Sequence, residues 1–121
     1  MAVYTTNLVI YTGTDVDQVF VLADDASESL LNLTGYSAIC KIKKHGNSAS
    51  TAAEFTTSFT DVTGGKVKIS LSAAQTAALK PGRYYYDLLL YYNGENSRAV
   101  EGEIIVKKSA PFLVNSLTKD P

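Results

Sequence analysis

The segment from Pro81 to Tyr92, PGRYYYDLLLYY, is the feature of this sequence that most constrains its fold. Its opening Pro-Gly is a turn signal, and almost every later residue favours a β-strand, with Asp87 as the interruption. At the two-residue period of a strand, one face holds Tyr84, Tyr86, Leu88 and Leu90, and the other holds Tyr85, Asp87, Leu89 and Tyr91. Because both faces are largely apolar, we predict a central strand whose outer face is also covered.

Alternating apolar and polar residues, bounded by turn residues, predict six more strands. These are residues 7–11, 17–22, 36–43, 53–59, 66–71 and 97–107. Ser72 followed by Gln75 is a capping-box pattern, which predicts one or two helical turns before the tyrosine-rich strand. Asn93-Gly94 predicts a tight hairpin turn after that strand.

These elements predict an all-β fold, an immunoglobulin-like antiparallel β-sandwich of about seven strands with one short helical turn. The step Gly82-Arg83-Tyr84 after that turn resembles the tyrosine corner of immunoglobulin domains. The core differs from that of an antibody domain, because Tyr86 stands where the antibody cysteine would be and the chain has no Trp. We predict a sandwich over residues 1–108 and an irregular C-terminal extension, the assembly arm, over residues 109–121.

Length and composition exclude several classes of protein. The 121 residues suit one domain, and the net charge of −1 gives no reason to expect nucleic acid as a partner. No segment approaches the roughly 20 apolar residues of a membrane span, and the N-terminus lacks a signal-peptide pattern. We therefore expect a soluble protein made in a cytoplasm. Cys40, the single cysteine, lies in an apolar alternation and is predicted to be buried and inert.

Charge is unevenly distributed along the chain. Residues 1–40 contain five acidic residues and no Lys or Arg, namely Asp15, Asp17, Asp24, Asp25 and Glu28. The rest of the chain carries the 11 basic residues. Chance and surface solvation explain this pattern, and opposed charged surfaces that bring copies together are the alternative.

The sequence offers no catalytic or cofactor constellation. Its only histidine, His45, lies in a polar loop and is predicted to be solvated. No nucleophile motif or phosphate-binding glycine loop is present. Acidic pairs such as Asp15/Asp17 could bind Ca²⁺ if loops converged, although charged turn residues are the simpler interpretation. Glu101 and Glu103, two apart on one strand, are explained by an exposed sheet face. We therefore predict no enzyme, no cofactor and no metal.

Several short motifs follow one another in order over residues 5–108. They are Leu33-Thr34-Gly35, KVKISL (66–71), SAAQTAAL (72–79), KPGRYYYD (80–87) and Glu101-Gly102. In this order they are similar to the baseplate upper-protein N-terminal domain family of tailed bacteriophages and to small virion proteins of cyanophages. The resemblance implies a structural adaptor or decoration in the virion, which docks onto other virion proteins of the tail, baseplate, neck or capsid surface and has no catalytic residues.

Two groups of residues are predicted to form contacts with other proteins. On the tyrosine-rich strand they are Tyr85, Leu89 and Tyr91, since aromatic and apolar side chains on an outer face suit buried contact surfaces. In the assembly arm they are Phe112, Leu113, Val114 and Leu117. We expect a homo-oligomer that contacts other virion proteins. A carbohydrate-binding module for attachment to a host surface is the alternative.

Overall fold

A computed structural model describes residues 3–24, 29–44 and 51–108. These residues form an all-β fold with one short helix. The strands are β1 (Tyr4–Thr5), β2 (Leu8–Tyr11), β3 (Val16–Val21), β4 (Ser37–Lys43), β5 (Ala53–Asp61), β6 (Lys66–Leu71), β7 (Gly82–Tyr92) and β8 (Glu95–Lys107), and the helix is α1 (Ala73–Ala77). The all-β class, the single short helix and the approximate positions of the predicted strands are confirmed.

The strands form one curled, mixed sheet in the order β1-β8-β7-β4-β5-β6-β3, with β2 also paired to β8. β5 joins the two halves of this sheet. Its residues 53–55 pair with β4, and its residues from 56 onward pair with β6. Because one strand has neighbours in both halves, the sheet is continuous across the fold.

The prediction of a purely antiparallel sheet is wrong at one edge. β1 and β2 both run parallel to β8, with Tyr4 opposite Val100 and Leu8 opposite Ile104. The alternation of residues 7–11 indicates a strand but carries no information on the direction of its partner. The connection between β2 and β8 spans most of the chain, so no hairpin imposes an antiparallel pairing.

The core lies beneath the inward face of β7, as the sequence predicts. Tyr84 and Tyr86 are 5% and 4% exposed, and Leu88 and Leu90 are buried with them. Ile42 of β4, Ile69 of β6 and Ile104 of β8 belong to the same cluster. At roughly 25 cal/mol per Å² of apolar surface, each buried aliphatic side chain stabilises the fold by about 1.5–3 kcal/mol.

The edge at β1 and β2 depends on a close backbone crossing between Thr6 and Gly102. A Cβ atom built on Gly102 would lie 2.0 Å from the Thr6 carbonyl oxygen, so no larger residue fits. The same carbonyl oxygen accepts a hydrogen bond of 2.6 Å from the Tyr86 hydroxyl. Burial raises the pKa of Tyr86, and the neighbouring Cys40 adds to the effect, so the phenol keeps the proton that it donates.

The side chain of Asn7 completes this crossing. Its Oδ1 accepts a hydrogen bond of 3.0 Å from the Glu103 backbone N–H, so a side chain takes the place of a backbone acceptor for β8 in the gap between β1 and β2. The Thr6 N–H donates to the Glu101 carbonyl at 2.9 Å. Backbone groups on both sides of the interruption are therefore satisfied without a continuous strand.

The predicted turn chemistry is confirmed. Ser72 accepts a hydrogen bond from the Gln75 N–H at 3.2 Å, and the Gln75 side chain accepts one from the Ser72 N–H at 2.9 Å. At the hairpin between β7 and β8, Asn93 and Gly94 have φ angles of 52° and 82°. Both angles lie in the left-handed region that Asn and Gly tolerate best.

A hydrogen bond ties the helical turn to β7 at the position that resembles a tyrosine corner. The Tyr84 hydroxyl donates to the Lys80 carbonyl at 2.7 Å. The Lys44 ammonium lies 4.5 Å from the centroid of the Tyr84 ring. Tyr84 thereby fixes the start of β7 relative to the segment that follows α1.

We expect the substitution Tyr84→Phe to lower the free energy of unfolding by about 1 kcal/mol, because it leaves the ring packed and removes one buried hydrogen bond. Tyr85→Phe is the matched control, since the Tyr85 hydroxyl makes no hydrogen bond with any described residue. Urea unfolding of both variants measures the difference. Equal stability of the two variants would contradict this role for Tyr84.

Candidate interface on the outer sheet face

Three adjacent strands build a surface on the side of the sheet that faces away from the core. We call it the outer face. It consists of Ile39, Lys41 and Lys43 of β4, Tyr85, Asp87, Leu89 and Tyr91 of β7, and Arg98, Glu101 and Glu103 of β8. β7 pairs with β4 on one side and with β8 on the other along most of its length. This pairing determines which of these side chains are neighbours.

The residues of the outer face lie in rows across the three strands. Lys43, Tyr85 and Glu103 occupy one row, and Lys41, Asp87 and Glu101 occupy the next. Within these three strands, lysines therefore form one side of the face and glutamates form the other, with β7 between them, and Glu54 of β5 lies beside Lys41 at the lysine edge. Residues two apart on a strand are about 7 Å apart, so the two lysines and the two glutamates have the same spacing.

A hollow of about 490 Å³ lies over these two charged rows. Lys41 and Lys43 line it on one side, and Glu101 and Glu103 line it on the other. A volume of this size is typical of binding sites in proteins. The hollow therefore offers both positive and negative groups to whatever enters it.

Arginines partly neutralise the acidic side of the hollow. Arg98 lies 3.4 Å from the Asp87 carboxylate and 3.3 Å from the Glu101 carboxylate, and Arg83 lies 3.6 Å from Glu103. These pairs are part-exposed and contribute little to stability. Neither Lys41 nor Lys43 forms an ion pair with another described residue. The lysines are thus available to a negatively charged partner.

The other end of the outer face is apolar. Ile39 and Leu89 are neighbours across β4 and β7, and Tyr91 follows on the same face. Ile39 is 38% exposed and Tyr91 is 48% exposed, whereas Leu89 and Tyr85 are half-buried. The structure thus brings the predicted residues Tyr85, Leu89 and Tyr91 onto one surface, although their role in an interface stays a prediction.

Two aromatic rings lie at the same end of the sheet, on the side of β7 opposite to Tyr91. Tyr36 and Tyr92 stack with their centroids 4.5 Å apart and an angle of 18° between the rings. A cleft of about 280 Å³ opens beside Tyr36 where β4 and β5 diverge, and Ser37, Thr57 and Ser58 contribute to its lining. The Thr57 hydroxyl donates to the Ala38 carbonyl at 3.0 Å and bridges the two strands there. The sequence identifies these residues as strand positions but does not indicate the cleft.

The other candidate residues have structural roles or lie outside the described part. The Asp15 carboxylate accepts a hydrogen bond of 2.7 Å from the Ala73 N–H, and Asp17 lies 3.9 Å from Lys68. Within residues 3–24, 29–44 and 51–108, no three His, Cys, Asp or Glu side chains converge to hold a metal, and no helix is long and apolar enough to cross a membrane. His45 lies outside the described residues.

The contact residues predicted in the assembly arm also lie outside the described residues. They are Phe112, Leu113, Val114 and Leu117. β8 ends at Lys107, opposite Tyr11 of β2, and the Thr12 N–H donates to the Lys107 carbonyl at 3.0 Å. The described part of the chain therefore ends beside the start of the turn that leads from β2 to β3.

Cys40 is buried, as predicted, on the inward face of β4. Burial raises the pKa of its thiol, and the Asp87 and Glu54 carboxylates add to the effect. A protonated thiol is a poor nucleophile and a poor metal ligand. Cys40 therefore acts as a small apolar side chain of the core.

We expect iodoacetamide to modify Cys40 at least about 100-fold more slowly in the native protein than in urea, because the native thiol is buried and remains protonated. An unfolded chain ionises this thiol above about pH 8.5, and the native state does not, so stability falls as pH rises. The free energy of unfolding should fall between pH 8 and pH 10 by about 2 kcal/mol more in the wild type than in Cys40→Ala, as urea unfolding at both pH values would show. Equal labelling rates in both solvents would contradict the assignment.

Comparison with known proteins gives no family for this chain. No family model and no curated protein matches its sequence. Among solved structures, a crystal structure of InlP from Listeria monocytogenes aligns with a TM-score of 0.46 at 12% identity. The alignment covers 84% of this chain and 26% of the InlP chain, so this protein spans about a quarter of that length.

Proposed function

We propose that this protein is a non-enzymatic structural component of a bacteriophage virion, made in the host cytoplasm, which docks onto other virion proteins as an adaptor or a decoration. The observation that carries the proposal is the outer face, which combines an apolar end with ordered rows of charge and leaves Ile39 and Tyr91 exposed. Contact surfaces between proteins combine these features, with aromatic and apolar anchors beside polar groups.

The resemblance of several motifs to the baseplate upper-protein N-terminal domain family is the reason for proposing a virion protein. Three of these motifs, at residues 66–71, 72–79 and 80–87, correspond to β6, to the capped helix and to the start of β7. The last of them contributes Tyr85 and Asp87 to the outer face. The proposed partners are other virion proteins of the tail, baseplate, neck or capsid surface, and further copies of this chain.

An immunoglobulin-like sandwich is the finer description of the fold within this proposal. The Tyr84 bond to Lys80 supports it, because such a bond closes the tyrosine corner of immunoglobulin domains. The division of β5 between β4 and β6 also supports it, since a strand that changes partners can connect two packed layers.

Carbohydrate binding is the second candidate function, and the cleft beside Tyr36 is the observation that favours it. Hydroxyl groups line the cleft together with Tyr36, whose ring stacks on Tyr92, and the exposed Tyr91 lies at the same end of the sheet on its other side. Aromatic rings and neutral hydroxyls together suit a sugar. No charge takes part in this arrangement, which distinguishes it from the outer face.

The virion assignment is tested with the double substitution Phe112→Asp and Leu113→Asp. We expect at least a tenfold loss of the protein from purified phage particles, measured by quantitative mass spectrometry, because two charges would enter an apolar contact. Ser116→Asp with Thr118→Asp adds the same charge to the same segment and should leave incorporation unchanged.

Two outcomes would contradict parts of this proposal. Normal incorporation of the Phe112/Leu113 variant would remove the assembly arm from the docking contact. Absence of the wild-type protein from particles would overturn the virion assignment itself. Circular dichroism should show that both variants keep the β-sheet spectrum of the wild type.

The carbohydrate alternative is tested on a glycan array. If the aromatic end binds sugar, Tyr91→Ala should reduce the signal at least about fivefold, since an aromatic contact contributes about 1 kcal/mol or more. Tyr11→Ala is the matched control, because Tyr11 on β2 has the same exposed fraction of 48%. A wild-type protein that binds no glycan would eliminate this alternative.

A further inference from the structure

The outer face carries the charge pattern of a surface that is complementary to itself. Lys41 and Lys43 lie on one side of β7, and Glu101 and Glu103 lie at the same two levels on the other side. A rotation of 180° about an axis parallel to β7 exchanges the two sides and keeps the levels. When two outer faces meet through such a rotation, each lysine lies opposite a glutamate.

We propose that the outer face packs against the outer face of a second copy of this chain, about a two-fold axis parallel to β7. This proposal rests on the proposed function only because it takes the outer face as a contact surface. It identifies a second copy of this chain as the partner at that surface. Two-fold dimers are the commonest protein oligomers, and each patch in their interface meets its own copy.

The two rows match residue by residue in this arrangement. Lys41 faces Glu101 of the second copy, and Lys43 faces Glu103 of the second copy, so four Lys–Glu contacts form per dimer. The hollow of about 490 Å³ provides the space into which the opposing lysine side chains extend. Sheets that pack face to face lie about 10 Å apart, a gap that lysine and glutamate side chains reaching from both sides can span.

Residues on the axis itself are compatible with the contact. Tyr85 and Leu89 each meet their own equivalents, which buries apolar surface at two points. Asp87 also meets its equivalent, and Arg98, which lies 3.4 Å from Asp87 and 3.3 Å from Glu101, offsets part of this repulsion within each copy. A two-fold axis perpendicular to β7 would instead place lysines opposite lysines. Charge thus selects the parallel axis over the perpendicular one.

The test uses charge reversal in the full chain at low salt, with mass measured by sedimentation and light scattering. The wild type should be a dimer. Lys41→Glu with Lys43→Glu, and separately Glu101→Lys with Glu103→Lys, should each raise the dimer dissociation constant at least about 100-fold, because like charges then face one another. Each variant should keep the native circular dichroism spectrum.

Mixing provides the decisive measurement. The first variant carries glutamates on both sides of β7, and the second carries lysines on both sides. In an equimolar mixture each glutamate can therefore face a lysine, so a heterodimer should form. A chain with all four substitutions should dimerise with itself for the same reason. The matched control is Lys66→Glu with Lys68→Glu, two lysines at the same spacing on β6, which should leave the dimer unchanged.

Three results would overturn the proposal. The first is a wild type that is monomeric at about 100 µM protein, as expected if the assembly arm covered the face of its own chain. The other two are failure of the mixture to form heterodimers and equal disruption of the dimer by the β6 control. None of these results affects the virion assignment, because particle incorporation is measured independently. A dimer that is absent from particles would leave this proposal intact and overturn the assignment.

Discussion

The pairing of β7 with both β4 and β8 is the interaction on which the rest of the structure depends. It fixes the two faces of one strand at once, because a residue that is bonded to neighbours on both sides cannot rotate. Tyr84, Tyr86 and Leu88 are thereby held in the core, and Tyr85, Asp87 and Leu89 are held on the outer face. The same pairing register of β7 therefore determines both which side chains form the core and how the surface charges are arranged. A slip of one residue in this register would place the tyrosines of the core in water and the charged rows inside.

Tyr86 connects this central strand to the opposite end of the sequence. Its ring packs edge-on against Phe55, with a centroid distance of 6.1 Å, and its hydroxyl holds the Thr6 carbonyl. The approach of that carbonyl is possible because Gly102 has no side chain. Three residues that are far apart in sequence thus determine where the N-terminal strands cross β8. The crossing also divides β1 from β2, so the edge of the sheet is interrupted rather than long and flat, as protected edges are in many β-proteins.

Local patterns predict much of this fold and less of the candidate site. The alternation in β7, the Ser72–Gln75 capping box and the Asn93-Gly94 turn are short-range features, and each has the predicted form. Strand partners depend on contacts between distant residues, so the parallel pairing of β2 with β8 is not visible in a period of two. The bulge opposite Leu88 and Leu89, which buries both Ala99 and Val100, is hidden for the same reason. Tyr85, Leu89 and Tyr91 could be assigned to one face from spacing alone. That Lys41 and Glu101 lie in the same row, on either side of Asp87, follows only from the register of β4, β7 and β8.

The parallel pairing of the first strands with the last has a mechanical consequence. A force that pulls residue 3 and residue 108 apart draws β2 and β8 in opposite directions along their common axis, since both strands run the same way. The backbone hydrogen bonds of this edge are then loaded together, in shear, rather than broken one after another. Resistance to forced unfolding depends on the rate at which such a cluster ruptures and not on the total stability of the fold. Tension along the chain is therefore borne first by a small patch at the sheet edge, while the core behind it remains unloaded.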